Sequence, residues 1–254
     1  MKDEWVKILD NRKINGKYYK LHFQSKKLAA GVKPGQFVNI LLNATQDPFL
    51  RRPFSYYRVS GSRIEILYEI LGKGTALLAK KKKGEELKVL GPLGKPFRLS
   101  LPKNKKRILV AGGVGVPPLI FLAEHFPAEA VLIGTKSRDE VLPKKEVSKV
   151  KGKILYSTND GSYGVKGFVT VLLNQIIQKE KPENLFIQTC GPKPMMQAVL
   201  DIARRHKIEG EASIDNTMAC GVGACLGCMV KTPHGWIASC TQGPVFDFRE
   251  IEVL

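Results

Sequence analysis

The sequence predicts three units in series: an antiparallel β barrel over residues 1–101, a parallel α/β domain over 102–210 and a small cysteine-bound metal domain over 211–254. Three observations carry this. Residues 1–100 break into short alternating runs separated by glycine or proline, the habit of a small antiparallel barrel. From residue 107 the rhythm changes to strand, glycine turn and helix, which continues as a parallel α/β pattern. The last unit holds Cys220, Cys225, Cys228 and Cys240 in the order C-x4-C-x2-C-x11-C.

Barrel strands are expected at 5–12, 18–24, 36–42, 54–60, 63–70 and 86–91. Two segments stand out among them. RRPFSYY, residues 51–57, offers the guanidinium of Arg52, a backbone restrained by Pro53, the Ser55 hydroxyl and aromatic faces at Phe54, Tyr56 and Tyr57. That set suits a flat heteroaromatic ring beside a phosphate; an ordinary strand with its aromatics turned inward is the plainer alternative. GKGT, residues 72–75, puts Gly72, Gly74 and Thr75 at the start of a short helix, where free N–H groups could meet a pyrophosphate. A capped surface helix would look the same. Together, a ring site and a diphosphate site have the shape of a flavin dinucleotide.

In the middle domain, strands are expected at 107–111, 130–134, 154–157 and 184–189, with helices near 117, at 170–179 and at 193–206. The first strand runs into AGGVGVPP, where Gly112, Gly113 and Gly115 meet the mechanical needs of a dinucleotide phosphate loop, although Pro118 replaces the last glycine of the usual fingerprint. CGPKPMM begins with Cys190, Gly191 and Pro192 at the carboxyl edge of a strand, where ligands commonly bind. Cys190 reads equally as a nicotinamide neighbour or as a small buried hydrophobe. Beyond Gly210 the parallel alternation is expected to end.

The 4-then-2 cysteine spacing is the plant-type pattern of a [2Fe-2S] cluster, and the glycines of CGVGACLGC let amides turn towards the sulfurs. Zinc is the competing reading. The first gap, and the lack of a basic or histidine-rich finger, favour iron and sulfur. Residues 229–239 are expected to form a hairpin that returns Cys240 to the cluster.

The formal charge of +18 collects in lysine runs near 80–83, 103–107 and 144–153. No nucleic-acid reader or aromatic platform accompanies it, so a solvated surface that attracts anionic cofactors or an acidic partner is expected, with no nucleic acid. No apolar run reaches membrane-spanning length, and the start MKDEWVKILDNRK lacks the order of a secretory signal. With four of five cysteines in the metal stretch, a disulfide scaffold is not expected and a reducing cytoplasm is. The four histidines are scattered, and no Ser-His-Asp or Cys-His arrangement is visible.

RRPFSYY, GKGT, AGGVGVPP, CGPKPMM and the cysteine module, in this order, resemble the ferredoxin-reductase superfamily with a C-terminal [2Fe-2S] domain. The ending CTQGPVFDFREI narrows the resemblance to the electron-transfer subunits of class 1B dihydroorotate dehydrogenases. The resemblance covers essentially the whole chain. It implies a ferredoxin-reductase-like fold with FAD on the barrel, NAD(H) on the α/β domain and a [2Fe-2S] cluster at the end. It carries flavin contacts to Arg52, Pro53, Phe54, Ser55, Gly72, Gly74 and Thr75, and nucleotide contacts to Gly112, Gly113, Gly115, Cys190, Gly191 and Pro192. The cluster ligands become Cys220, Cys225, Cys228 and Cys240. Phe54 stands where many relatives have tyrosine, and Asp215 and Asn216 stand near the place of an acidic residue before the first cysteine.

The implied partner is an FMN-containing dihydroorotate dehydrogenase catalytic subunit, in a heterotetramer of two of each subunit, serving pyrimidine biosynthesis with net flow towards NAD. No residue of this chain need act as acid or base towards dihydroorotate. For the nucleotide, Lys136 or Arg138 would suit a 2'-phosphate and Asp139 or Glu140 a free ribose; the resemblance favours NAD. The alternatives are an NAD(P)H–ferredoxin reductase-like or sulfhydrogenase subunit and, in another class, a non-catalytic metal-stabilised assembly module.

Overall fold

The computed structural model describes residues 1–42 and 47–252. Its first sheet contains β1 (Lys2–Lys13), β2 (Tyr18–Gln24), β3 (Phe37–Leu41), β4 (Arg52–Ser55), β5 (Arg58–Ser60), β6 (Arg63–Glu69) and β7 (Glu86–Leu93), with helix α1 (Lys26–Ala29) after β2 and α2 (Lys73–Lys80) after β6. The spatial order is β4-β3-β7-β1-β2-β6-β5, antiparallel throughout. Alternate side chains such as Leu21, Phe23, Val38, Ile40, Ile64, Ile66, Leu87 and Val89 fill the interior.

The strand expected over 54–60 is two strands at opposite edges of this sheet. The chain crosses between the edges at Tyr56 and Tyr57: the Tyr56 amide donates to the Gln36 carbonyl (3.2 Å) and the Tyr57 amide to that of Glu65 (3.0 Å). Two successive residues thus bond to opposite rims, which closes the barrel. Both tyrosines are fully buried, their hydroxyls donating to the carbonyls of Leu28 (2.9 Å) and Glu146 (2.7 Å). They belong to the core and offer no face to a ligand.

The second sheet is built from β8 (Lys106–Gly112), β9 (Ala130–Thr135), β10 (Lys153–Thr158), β11 (Val165–Lys166), β12 (Leu185–Cys190) and β13 (Glu209–Ser213). Helices α3 (Val116–His125), α4 (Lys144–Val147), α5 (Val169–Ile177) and α6 (Lys193–Arg205) are interleaved with these strands. The order is β11-β10-β9-β8-β12-β13, all parallel. Succession reverses between β8 and β12, so the carboxyl ends at Gly112 and Cys190 form the crevice where such sheets bind ligands.

Parallel pairing does not stop at Gly210. Strand β13 runs across the expected boundary, pairing Gly210 with Ile187 and Ser213 with Cys190. After the hairpin of β14 (Met229–Thr232) and β15 (Gly235–Ala238) and the short helix α7 (Ser239–Gln242), β16 (Val245–Asp247) returns to pair antiparallel with β13. Ala212, Ile214, Phe246, Phe248 and Ile251 enter the α/β core, so the cysteine module leaves and re-enters that domain. Local sequence hides this, because EGEAS is too short and too poor in β-branched residues to announce a strand.

Barrel and α/β domain meet at a seam of buried charge. The Glu146 carboxylate of α4 accepts from Nζ of Lys20 on β2 (2.8 and 2.9 Å) and from Nη1 of Arg58 on β5 (3.2 Å). Arg58 also donates through Nε to Glu124 of α3 (2.8 Å). Nearer the crevice, Nζ of Lys17 lies 3.3 Å from Glu69 and 3.1 Å from Glu140. Among the described residues, no helix is long and apolar enough to cross a membrane.

Candidate functional site

The flavin-like motifs, twenty residues apart in sequence, come into contact. A side-chain carbon at Gly74 would stand 3.0 Å from Nε of Arg52 and 2.9 Å from Leu42, so the start of α2 lies directly against the Arg52 side chain of β4. Thr75 Oγ1 accepts from the amides of Leu71 (2.8 Å) and Gly72 (3.2 Å), leaving the first amides of α2 without intrahelical acceptors. Beside them opens a cavity of about 520 Å³, with Arg52, Pro53, Phe54, Ser55, Gly72, Gly74 and Thr75 on one wall. The lining combines a guanidinium and a helix N-terminus with aromatic and aliphatic surface. These residues fit a dinucleotide with a flat ring.

Sequence reasoning missed part of the lining. Phe37, Tyr68 and Glu69 reach the cavity from β3 and β6, Ser213 from the end of β13, and Ile214 to Met218 from the segment after it. The aromatic partner of Phe54 is Tyr68, their ring centres 5.9 Å apart at 71°, in place of Tyr56 or Tyr57. An aromatic at the end of an amphipathic strand was the available signal for Tyr68. Nothing local distinguished Glu69.

The nucleotide motifs form the opposite wall. Val114, Pro117 and Cys190 line the cavity, and Gly112, Gly113, Gly115, Gly191 and Pro192 stand behind them. At Gly115 any Cβ would fall 2.0 Å from the carbonyl oxygen of Cys190, so the two loops touch backbone to backbone. The Tyr18 hydroxyl donates to the Gly113 carbonyl (2.8 Å), tying the glycine turn to the barrel. The Cys190 thiol is pushed up to about 12, by burial first and then by the negative charge of Asp215, against a bond from Ser213. It is a neutral, packed thiol and not a nucleophile. Burial, and then Glu69, push the Asp215 carboxyl above its ordinary value. Beyond β9, Glu140 is engaged by Lys17 and by the Lys136 amide (3.2 Å), while the Arg138 amide donates to Ser162 Oγ (2.8 Å).

The cysteines gather beside the barrel. The amides of Val222 and Cys225 donate to Cys220 Sγ, each at 3.4 Å; that of Gly223 donates to Cys240 Sγ (3.2 Å) and that of Cys240 to Cys228 Sγ (3.4 Å). Backbone donors aimed at sulfur favour thiolate. At Cys220, burial pushes the thiol up, but the amides of Val222, Cys225 and Ala224 and the Cys225 side chain outweigh it, leaving a value of about 6. At Cys240, burial and the neighbouring Cys228 win over the Gly223 amide, and the thiol rises to about 12. The Cys225 side chain lies beside Cys220, and Cys228 and Cys220 both act on Cys240. Among the described residues, no three His, Cys, Asp or Glu side chains surround one point closely enough to hold a single ion.

One wall separates this module from the cavity. Phe37 and Met218 line the cavity and also pack in the apolar cluster formed with Leu93, Cys228 and Cys240. In the same module Cys225 is exposed, and Val222 and Leu226 stand out of its loop.

Comparison with known proteins bears on this geometry. Residues 215–252 match the family model of the iron-sulfur cluster binding domain of dihydroorotate dehydrogenase B. The chain is 36% identical to the dihydroorotate dehydrogenase B (NAD(+)) electron transfer subunit of Fusobacterium nucleatum, over the whole of both chains. The chain belongs to the family of dihydroorotate dehydrogenase B electron transfer subunits. A homologue of these subunits in Aquifex aeolicus is 37% identical over 97% of each chain. Among solved structures, the NADH-dependent reduced ferredoxin-NADP oxidoreductase described for flavin-based electron bifurcation contains a chain with a TM-score of 0.85 and 26% identity, matched over 98% of this chain and 90% of its own. A ferredoxin reductase of carbazole 1,9a-dioxygenase, with a TM-score of 0.69 at 19% identity over 82% of this chain and 66% of its own, shares the fold. The three-unit ferredoxin-reductase architecture expected of this electron transfer subunit is thus the one observed.

Proposed function

We propose that this chain carries electrons between NAD(H) and a separate FMN-containing dihydroorotate dehydrogenase catalytic subunit, through FAD in the cavity and a [2Fe-2S] cluster on Cys220, Cys225, Cys228 and Cys240. The observation that carries the reading is the single wall of Phe37 and Met218 between the flavin-shaped cavity and the paired cysteines. FAD in the cavity would supply the exchange between a hydride pair and single electrons, which neither nicotinamide nor iron-sulfur chemistry provides alone.

The remaining work falls to the chain's own residues. Arg52 and the first amides of α2 hold the diphosphate, while Phe54, Tyr68 and Ser55 orient the ring. Gly112, Gly113 and Gly115 let the nucleotide approach the backbone, and neutral Cys190 with Gly191 and Pro192 shapes the nicotinamide side. NAD is the proposed nucleotide, supported by the printed names of the relatives. The seam of Glu146, Lys20 and Arg58 keeps the two nucleotide sites in register. The catalytic subunit docks over the exposed Cys225 lip, where Val222 and Leu226 offer apolar contact, in an assembly of two of each subunit. Cytoplasmic location follows from cysteines that must stay reduced until they take up iron.

The test is co-purification with its partner under anaerobic conditions. Flavin and cluster absorption bleached by NADH, with FMN and orotate formation in the partner, is the expected result. A colourless, zinc-containing chain indifferent to NADH would move the assignment to an assembly module. NADH bleaching with a ferredoxin, but no dihydroorotate chemistry, would favour a ferredoxin reductase-like role, the reading that the bifurcating structural relative supports.

A further inference from the structure

Strand β3 reads FVNIL, an asparagine inside an apolar run. Period two explains which face it serves. Val38 and Ile40 enter the barrel interior, while Phe37 faces the cysteine module. Asn39 shares the face of Phe37 and is 0% exposed, so it sits where a strand buried on both sides would ordinarily place another apolar residue.

Its partners lie in the cluster loop, 181 positions along the chain. Asn39 Nδ2 donates to the Cys220 carbonyl at 3.4 Å, and Oδ1 is buried with no hydrogen-bond partner. Gly221 lies directly against the amide: a Cβ there would fall 2.7 Å from Nδ2, and its φ is +74°. The loop therefore needs glycine twice, for its left-handed turn and for its closeness to Asn39. The β3–β7 register shifts beside it: the two steps from Phe37 to Asn39 face three steps from Leu93 to Leu90, so β7 carries an extra residue next to this site. On the other side Asn39 is paired with Pro53 of β4, which lines the cavity.

We propose that Asn39 is a positioning residue for the iron-sulfur loop: it fixes the Cys220–Gly221 turn on the strand paired with the flavin-side strand, and so sets the cluster's potential and its spacing from the flavin. This rests on the proposed function. An unpaired buried acceptor opposes folding, so stability alone does not account for an asparagine here. Its amide nitrogen supports the carbonyl of the first cysteine, whose sulfur receives two loop amides. Moving the turn moves those amides, and amides aimed at sulfur favour the reduced cluster.

The experiment compares wild-type protein with Asn39→Leu and Asn39→Ser, each purified anaerobically with its cofactors. It reads iron and FAD content, the electron paramagnetic resonance spectrum of the dithionite-reduced cluster, its midpoint potential and the thermal midpoint. A flavin and a [2Fe-2S] signal in wild-type protein establish the reading beneath the proposal; their absence would sink that reading separately. In Asn39→Leu the expected result is normal FAD, unchanged or raised thermal stability, altered g values and a lower cluster potential. Loss of iron with FAD retained supports the same role. If the leucine variant does not bind FAD, the serine variant decides by the same measurements. A variant with wild-type g values, potential and iron content would overturn the proposal.

Discussion

The barrel meets its two neighbours through different chemistry. Against the α/β domain it adds buried charge to apolar packing: Lys20, Arg58 and Tyr57 converge on Glu146 and Lys17 joins Glu69 to Glu140, while Tyr18, Tyr57 and Leu67 share an apolar cluster with Leu119 and Ile120. Against the cysteine module it presents Phe37 and Leu93, packed on Met218, Cys228 and Cys240, with Asn39 supplying a polar contact to the loop. Hydride transfer is sensitive to the orientation of donor and acceptor, and buried ion pairs fix orientation. Electron transfer to a cluster requires closeness across a dry wall, which apolar packing provides. On the proposed function, the ion pairs of the first seam would serve hydride transfer and the apolar wall of the second would serve electron transfer.

Substitutions separate the seams. Cys225→Ser has the largest expected effect: loss of the cluster with FAD and the charged seam intact, checked by iron, sulfide and flavin content. Unchanged iron would contradict the ligand assignment. Glu146→Gln leaves Lys20 and Arg58 short of a buried anion and should cost about 3–5 kcal/mol by thermal or denaturant unfolding. Phe37→Ala opens the apolar wall at a similar cost, about 3–5 kcal/mol; it should impair the cluster more than NADH binding, the reverse of Glu146→Gln. Leu226→Glu, on the exposed lip, should change stability by less than about 0.5 kcal/mol while weakening capture of the catalytic subunit in a pull-down.

Acid sharpens the same contrast. Burial raises the Glu146 carboxyl, but Lys20, Arg58 and the Tyr57 hydroxyl outweigh it, so its net value lies below the ordinary 4.5. A depressed acid binds fewer protons folded than unfolded. Its stabilisation is therefore present above 4.5 and is lost as pH falls through the lowered value. In Glu146→Gln this part of the acid sensitivity should disappear, which paired unfolding curves would show.

Legibility in the sequence followed distance along the chain. The cysteine spacing, the glycine turn and GKGT are local devices, each needing only its own neighbours to specify a turn or a helix start. The cavity joined Arg52 to Gly74 as the motifs required, and Gly115 proved indispensable for a contact with Cys190 that only the folded sheet creates. What stayed hidden depends on partners far away. Tyr56 and Tyr57 look like ring-binding aromatics until barrel closure buries them. Glu146 lies in a lysine-rich stretch that reads as solvated surface, yet it is 2% exposed beneath the barrel. Strand β13 becomes a strand because β12 and β16 flank it.

The most direct test separates the two half-reactions in Glu146→Gln protein loaded with its cofactors. Stopped-flow absorbance would follow flavin bleaching by NADH, and reoxidation of the reduced protein by a one-electron acceptor at the cluster would be timed separately. The expected result is flavin reduction slowed by about 10- to 100-fold, the range that a misplacement near 1 Å produces, with reoxidation at the wild-type rate. Wild-type flavin reduction, or equal slowing of both half-reactions, would contradict the division of labour between the charged seam and the apolar wall.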